Sequence, residues 1–168
     1  MPIPAFMTIH GSRQGLITAG AFTEASVGNG YQSGREDKIM VQALSHGMYI
    51  PKDQGAGRRM HRPLIITKTL DKASPLLNMA LSSGELLSEC RVEFYRTSAS
   101  GVQEHFYTVE LEDALVVGSE LLMPNCLDTA TSHLTQLEKV HFSYRRIYWR
   151  HEISRTMGSD EWQGEGLR

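Results

Sequence analysis

The chain has 168 residues, enough for one domain, and its 40% hydrophobic and 21% charged content excludes the polar, highly charged compositions that leave chains disordered. Lysine and arginine number 17 against 19 acidic residues, a net charge of -2, so no global field draws the protein to nucleic acid or anionic lipid. No stretch nears the roughly 20 apolar residues of a membrane span, and Cys90 and Cys126 share no ligand spacing, so both are expected as free thiols.

Residues 1–7 carry neither a basic n-region nor a long apolar run, so they do not read as a secretory signal, and the expectation is folding in the cytoplasm with any export by a route that ignores such signals. From Ile3 the apolar residues alternate: Ile3, Ala5, Met7 and Ile9 share one face, as a half-buried strand requires. Residues 28–34 form a glycine-rich turn region, and residues 38–44 a short apolar strand. Residues 46–62 fit no element. They hold His46, Lys52, Asp53, Gly55 and Gly57, with Arg58, Arg59 and Arg62 gathered at one end. Loops beyond about 12–15 residues are uncommon in compact domains and usually carry function, so this is the first candidate site.

Residues 64–67 predict another strand, and residues 74–84 the one helix. Ser74 is placed at its cap, Pro75 in the first turn where a missing N–H costs nothing, and Gly84 at the left-handed stop, with Leu76, Leu77, Ala80 and Leu81 as the apolar stripe. A hairpin follows: residues 90–96 and 105–111 alternate on either side of a turn-forming loop, with Cys90, Val92 and Phe94 facing one way and Tyr107, Val109 and Leu111 matching them. Leu115, Val116 and Val117 begin a further strand. Residues 140–149 alternate, slip phase at Arg145 and Arg146, and resume at Ile147 and Trp149, which predicts one long final strand with a bulge. The coarse expectation is a mainly β fold, a closed β-barrel of two antiparallel sheets with one short flanking α-helix, spanning residues 1–150, and a polar tail over 151–168.

Catalytic patterns are weak. His151-Glu152 opens like a zinc-protease motif, but Arg155 stands where the second histidine must be. The seven histidines show no paired ligand spacing, no activated-serine elbow occurs, and the glycines match neither a dinucleotide nor a phosphate loop. No cofactor or metal is expected. The run from Phe142 to Arg150 interleaves aromatics with arginines, but a strand with a wet arginine face accounts for it without nucleic acid.

Ile65-Ile66-Thr67-Lys68, then Leu70-Asp71-Lys72-Ala73-Ser74-Pro75-Leu76 and Ala80-Leu81-Ser82-Ser83-Gly84, closely resembles the core motif of the haemolysin-coregulated proteins of type VI secretion. Glu93-Phe94-Tyr95-Arg96, the hairpin to Tyr107 and the run from Val140 to Trp149 fall in the family's order. The resemblance implies a subunit that closes a homo-hexameric ring, rings that stack into a tube inside a contractile sheath beneath a spike protein, secretion by that machine, and a lumen that carries small effectors. It implies no enzyme activity and no membrane insertion. It also places His46 to Arg62 where the family extends a loop toward the next ring, the arginines being expected to pair with carboxylates there. The competing readings are a monomeric ligand-binding β-barrel and a small hydrolase using converging histidines.

Overall fold

The computed structural model describes residues 3–52 and 58–162. Among the described residues thirteen strands dominate, and all their pairings are antiparallel. One sheet runs β13 (Thr156–Glu161), β12 (Arg146–His151), β9 (Gln103–Glu112), β8 (Leu87–Thr97), β1 (Ala5–Gly11), where β1 pairs with β3 (Ile39–Val41) at one end and β2 (Gly15–Leu16) at the other. The second runs β10 (Leu115–Leu122), β11 (Leu137–Ser143), β7 (Leu64–Thr69), β4 (Ala43–Ser45). A separate ribbon pairs β5 (Met48–Tyr49) with β6 (Met60–His61).

The alternation read from the sequence explains which faces meet. Met7, Ile9, Cys90, Val92, Leu111 and Ile147 from the first sheet pack against Leu64, Ile66, Val140 and Phe142 from the second, every one of them buried. Helix α2 (Ser74–Ser83) adds Leu77 and Ala80 to the same core. At roughly 1.5–3 kcal/mol for each fully buried large aliphatic or aromatic side chain, this interlayer contact is the main source of stability.

Three expectations need correction, and one left open is filled in. The sheets do not close into a barrel: among the described residues β13, β2 and β3 end one sheet, β10 and β4 end the other, and no ladder joins those edges. The chain instead crosses between sheets at Gln42, at Asp113-Ala114 and at Tyr144-Arg145, while a lone Leu87–Ala114 bridge and α2, packed on β10, occupy one side where a ladder would run. Next, residues 140–149 are not one bulged strand. The phase slip marks a corner: β11 ends at Ser143, Tyr144 is buried, and β12 starts at Arg146 in the other sheet, leaving the eleven-residue β8 as the longest strand. A bulge and a corner break alternation alike, and only the partners distinguish them.

The polar segment after residue 150 supplies β13, whose six residues pair with β12 across a turn in which Arg155 has a φ of 57°. Its side chains are mostly exposed, so the strand lacks an apolar face that periodicity could register. Finally, α2 is not the only helix. A single turn, α1 (Glu24–Val27), continues into a 3-10 turn over Gly28–Gly30, too short and too exposed for an apolar stripe.

Candidate functional site

The motif residues assemble around a buried ammonium. Lys68, inward-facing on β7, is fully buried, and its Nζ donates to Asp71 Oδ1 and Ser74 Oγ at 3.0 Å each and to Glu138 on β11. Ser74 is therefore not the helix cap: the α2 cap is Ala73, while Ser74 Oγ accepts the Asp71 N–H at 3.0 Å and donates to Glu138 at 2.6 Å. Asp71 Oδ1 accepts the Ala73 N–H at 2.9 Å, so the acid, rather than the serine, secures the start of the helix. Burial pushes the Asp71 carboxyl above its ordinary range, and that effect outweighs the opposing pull of Lys68. Pro75 sits in the first turn and Gly84 takes the left-handed φ of 66°, as the sequence predicts. Thr67 lies in register between Ala43 and Lys139, and Lys72 docks its N–H on Ser26 Oγ. Ser83 closes the helix, its carbonyl within 3.4 Å of the Arg13 guanidinium. These residues act as an interior brace between α2 and the second sheet.

The loop residues gather elsewhere, around Tyr144. His46 Nε2 lies 2.6 Å and His61 Nδ1 2.7 Å from the Tyr144 hydroxyl, and His61 Nε2 lies 2.8 Å from Asp160 Oδ2. A carboxylate only accepts, so His61 donates to Asp160 through Nε2 and, when neutral, accepts the Tyr144 proton at Nδ1. The hydroxyl oxygen is then left to accept from His46. Arg59 Nε completes the chain at 2.5 Å from Asp160, and Trp162 stacks on the His61 ring at 6.0 Å and 16°. Bonds from Arg59, opposed by burial and aided by His61, hold the Asp160 carboxyl at about 2. Burial and the neighbouring His61 pull the His46 imidazole below its usual range, and burial raises the Tyr144 phenol.

This placement modifies the arginine expectation. Arg59 is engaged by Asp160 of its own chain, and the Arg62 guanidinium lies 4.8 Å over the Tyr49 ring; Arg58 is exposed, as is Lys52. Asp53, Gly55 and Gly57 lie outside the described residues. Glu138, Tyr144, Asp160 and Trp162 escaped the sequence reading because each is distant in sequence from the group it serves; an acid at a core position of β11 was the one signal that marked any of them. The ribbon carries Met48, Tyr49, Ile50 and Met60, each between 41% and 64% exposed, an unusual apolar concentration for a solvent-facing element. Both cysteines are free, Cys90 buried and Cys126 exposed. Among the described residues no group of histidines, cysteines or acids is arranged to hold a metal, and no helix is long and apolar enough to cross a membrane.

Comparison with known proteins places this architecture. The profile of the family described as "Type VI secretion system effector, Hcp" matches residues 6–151. The "Major exported protein" of Pseudomonas aeruginosa is 56% identical over 167 residues, covering 97% of each chain. A crystal structure of an Hcp protein superposes with a TM-score of 0.89 at 47% identity, covering 96% of this chain and 99% of that one. The secreted protein Hcp3 from Pseudomonas aeruginosa superposes at 0.84 with 53% identity, again over 96% and 99%.

Proposed function

We propose, proceeding from the fact that the chain belongs to the Hcp family of type VI secretion proteins, that it is a subunit of the machine's inner tube. Family membership makes it an exported protein of that system. The finer reading is that hexameric rings of this chain stack, with the contractile sheath outside, a spike protein at the tip and small effectors in the lumen. The role is structural rather than catalytic. The observation that carries assembly is the β5–β6 ribbon, which presents Met48, Tyr49, Ile50 and Met60 to solvent while pairing with neither sheet. Exposed apolar clusters of this kind are covered by a partner in most soluble proteins. Among the described residues the outer edges of β13, β10 and β4 are open and are further surfaces that neighbouring copies would satisfy.

Two measurements test this. Native mass spectrometry at micromolar concentration should find a cyclic hexamer, and a persistent monomer would overturn the ring. Electron microscopy of a chain shortened between Lys52 and Arg59 should find rings without tubes. Tubes of normal length would remove the ribbon from the stacking contact, and loss of the rings would place it between subunits.

A further inference from the structure

The β5–β6 ribbon has no ladder to either sheet among the described residues, so its attachment depends on side chains at its base. Those side chains are the chain of donors and acceptors running from His46 through Tyr144 and His61 to Asp160. We propose that this network is a proton-operated latch: it fastens the ribbon to the carboxy-terminal strand β13 while at most one of its two histidines is charged, and releases it when both are. The proposal deepens the assembly reading above and rests on it for its biological consequence, because the ribbon is the surface assigned to ring contacts.

The argument is a count of hydrogens. With both imidazoles neutral, His46 donates to the Tyr144 oxygen, Tyr144 donates to His61 Nδ1, and His61 donates to Asp160, so every polar atom in the line is satisfied. One added proton is absorbed without loss. His61 becomes a donor at both nitrogens, His46 changes tautomer so that Nε2 accepts, and the Tyr144 hydrogen reverses direction toward it. A second proton leaves no arrangement. Both imidazoliums then aim N–H at one hydroxyl oxygen, and the phenolic hydrogen loses its acceptor in a residue that is completely buried. A buried polar group stripped of its partner is among the costliest local defects.

Charge acts in the same direction. The ring centroids of His46 and His61 are 6.4 Å apart, and the carboxylate that reaches His61 among the described residues, Asp160, is already shared with Arg59. Glu161, the next acid on β13, is occupied by Arg145 and Arg146 on β12 and the corner before it. On the ribbon, Arg62 and Tyr49 are stacked on each other, and Arg59 is paired with Asp160. Burial, with His61 next to it, already disfavours the charged form of His46, so the second proton enters only under acid conditions below the ordinary histidine range.

The test uses the full-length protein. Trp162 stacks on His61 and reports its charge through indole quenching, measured with Trp149→Phe in the background. Hydrogen–deuterium exchange of residues 46–50, 58–62 and 156–162, corrected for the intrinsic effect of pH, reports opening. Acidification from about pH 8 to about pH 4.5 should raise exchange in all three segments together by about tenfold or more, with a one-proton slope because the closed network already holds the first proton, and with Trp162 quenching that begins earlier. His46→Gln keeps an N–H for the tyrosine oxygen but cannot take the second proton, so its segments should stay protected across that range. Exchange that does not change with pH, or a His46→Gln chain that opens at the same pH with the same slope, overturns the latch. Tyr144→Phe should open at every pH; should it fail to fold, the glutamine variant still decides. Native mass at neutral pH on the same samples separates the two ideas: a monomer with a working latch defeats only the ring, and an unresponsive latch in intact hexamers defeats only the switch.

Discussion

Replacing Lys68 by methionine keeps the hydrocarbon stem and removes the charge from a site with no solvent. Two carboxylates, Asp71 and Glu138, whose side chains are 3% and 4% exposed, then face each other with only Ser74 between them. Breaking a buried ion pair by deleting one partner costs about 3–5 kcal/mol, chiefly for the charge left behind. Glu138→Gln is gentler. It leaves Lys68 and Asp71 as a neutral pair and loses one charge-assisted hydrogen bond, about 1.5–3 kcal/mol. The order of effects and their coupling follow: in the Lys68→Met background, adding Glu138→Gln should restore stability because it removes the repulsion. Urea denaturation at fixed protein concentration reads this, the fixed concentration being needed because any subunit association adds to the apparent stability. The pH dependence has a definite sign. Asp71 binds its proton more tightly folded than unfolded, so its contribution favours the folded chain at low pH and is lost as pH rises through the folded value. Without Lys68 that upward shift grows, and part of the lost stability should return between about pH 7 and about pH 5. A Lys68→Met protein within about 1 kcal/mol of the parent, or one made worse by Glu138→Gln, would refute the reasoning.

Other sites give sharper local tests. Arg35 places its guanidinium 4.2 Å from the Phe6 ring centre and 4.0 Å from that of Tyr95, so Arg35→Ala should cost about 1–2 kcal/mol in thermal unfolding, and lysine, which does not stack, should recover less than half. Cys90→Ser should cost roughly 1–3 kcal/mol by placing a hydroxyl in the core, whereas Cys126→Ser should be neutral. In native protein a thiol reagent should label Cys126 alone, since burial both shields Cys90 and raises its thiol pKa. Gly84→Ala forces a Cβ into the left-handed region at the end of α2 and should lower stability by about 1–2 kcal/mol in denaturant titration.

Much of the fold was legible because it is periodic. Alternation located β1 and both arms of the β8–β9 hairpin, a short apolar run located β7, and alternation placed Cys90, Val92, Val109 and Leu111 on shared faces that lie in the interior. Proline and glycine located α2 to within one residue. Closure was not legible, because periodicity describes one strand at a time and a barrel is a statement about edges. Nor was the role of Ser74: its hydroxyl suits a helix cap, and only the distant Lys68 and Glu138 give it a stronger set of partners. An isolated sequence window contains the cap chemistry and omits the competition.

Three of the stretches that periodicity could not assign prove to lie against one another. Residues 46–62 read as a loop, 151–168 as a tail and Arg145-Arg146, next to Tyr144, as a defect in a strand, yet His46, His61, Asp160 and Trp162 gather around the buried Tyr144. This has a physical reason. A segment with an apolar face announces itself because the hydrophobic core is a generic partner that accepts any suitably patterned strand. A segment held by directed hydrogen bonds needs one particular donor or acceptor, and nothing within the segment names it. The corner makes the meeting possible: by leaving the second sheet at Ser143 and entering the first at Arg146, the chain turns Tyr144 into the gap between layers, where the ribbon base and β13 both reach it. A continuous bulged strand would have kept that side chain within one sheet and left the ribbon with no such anchor.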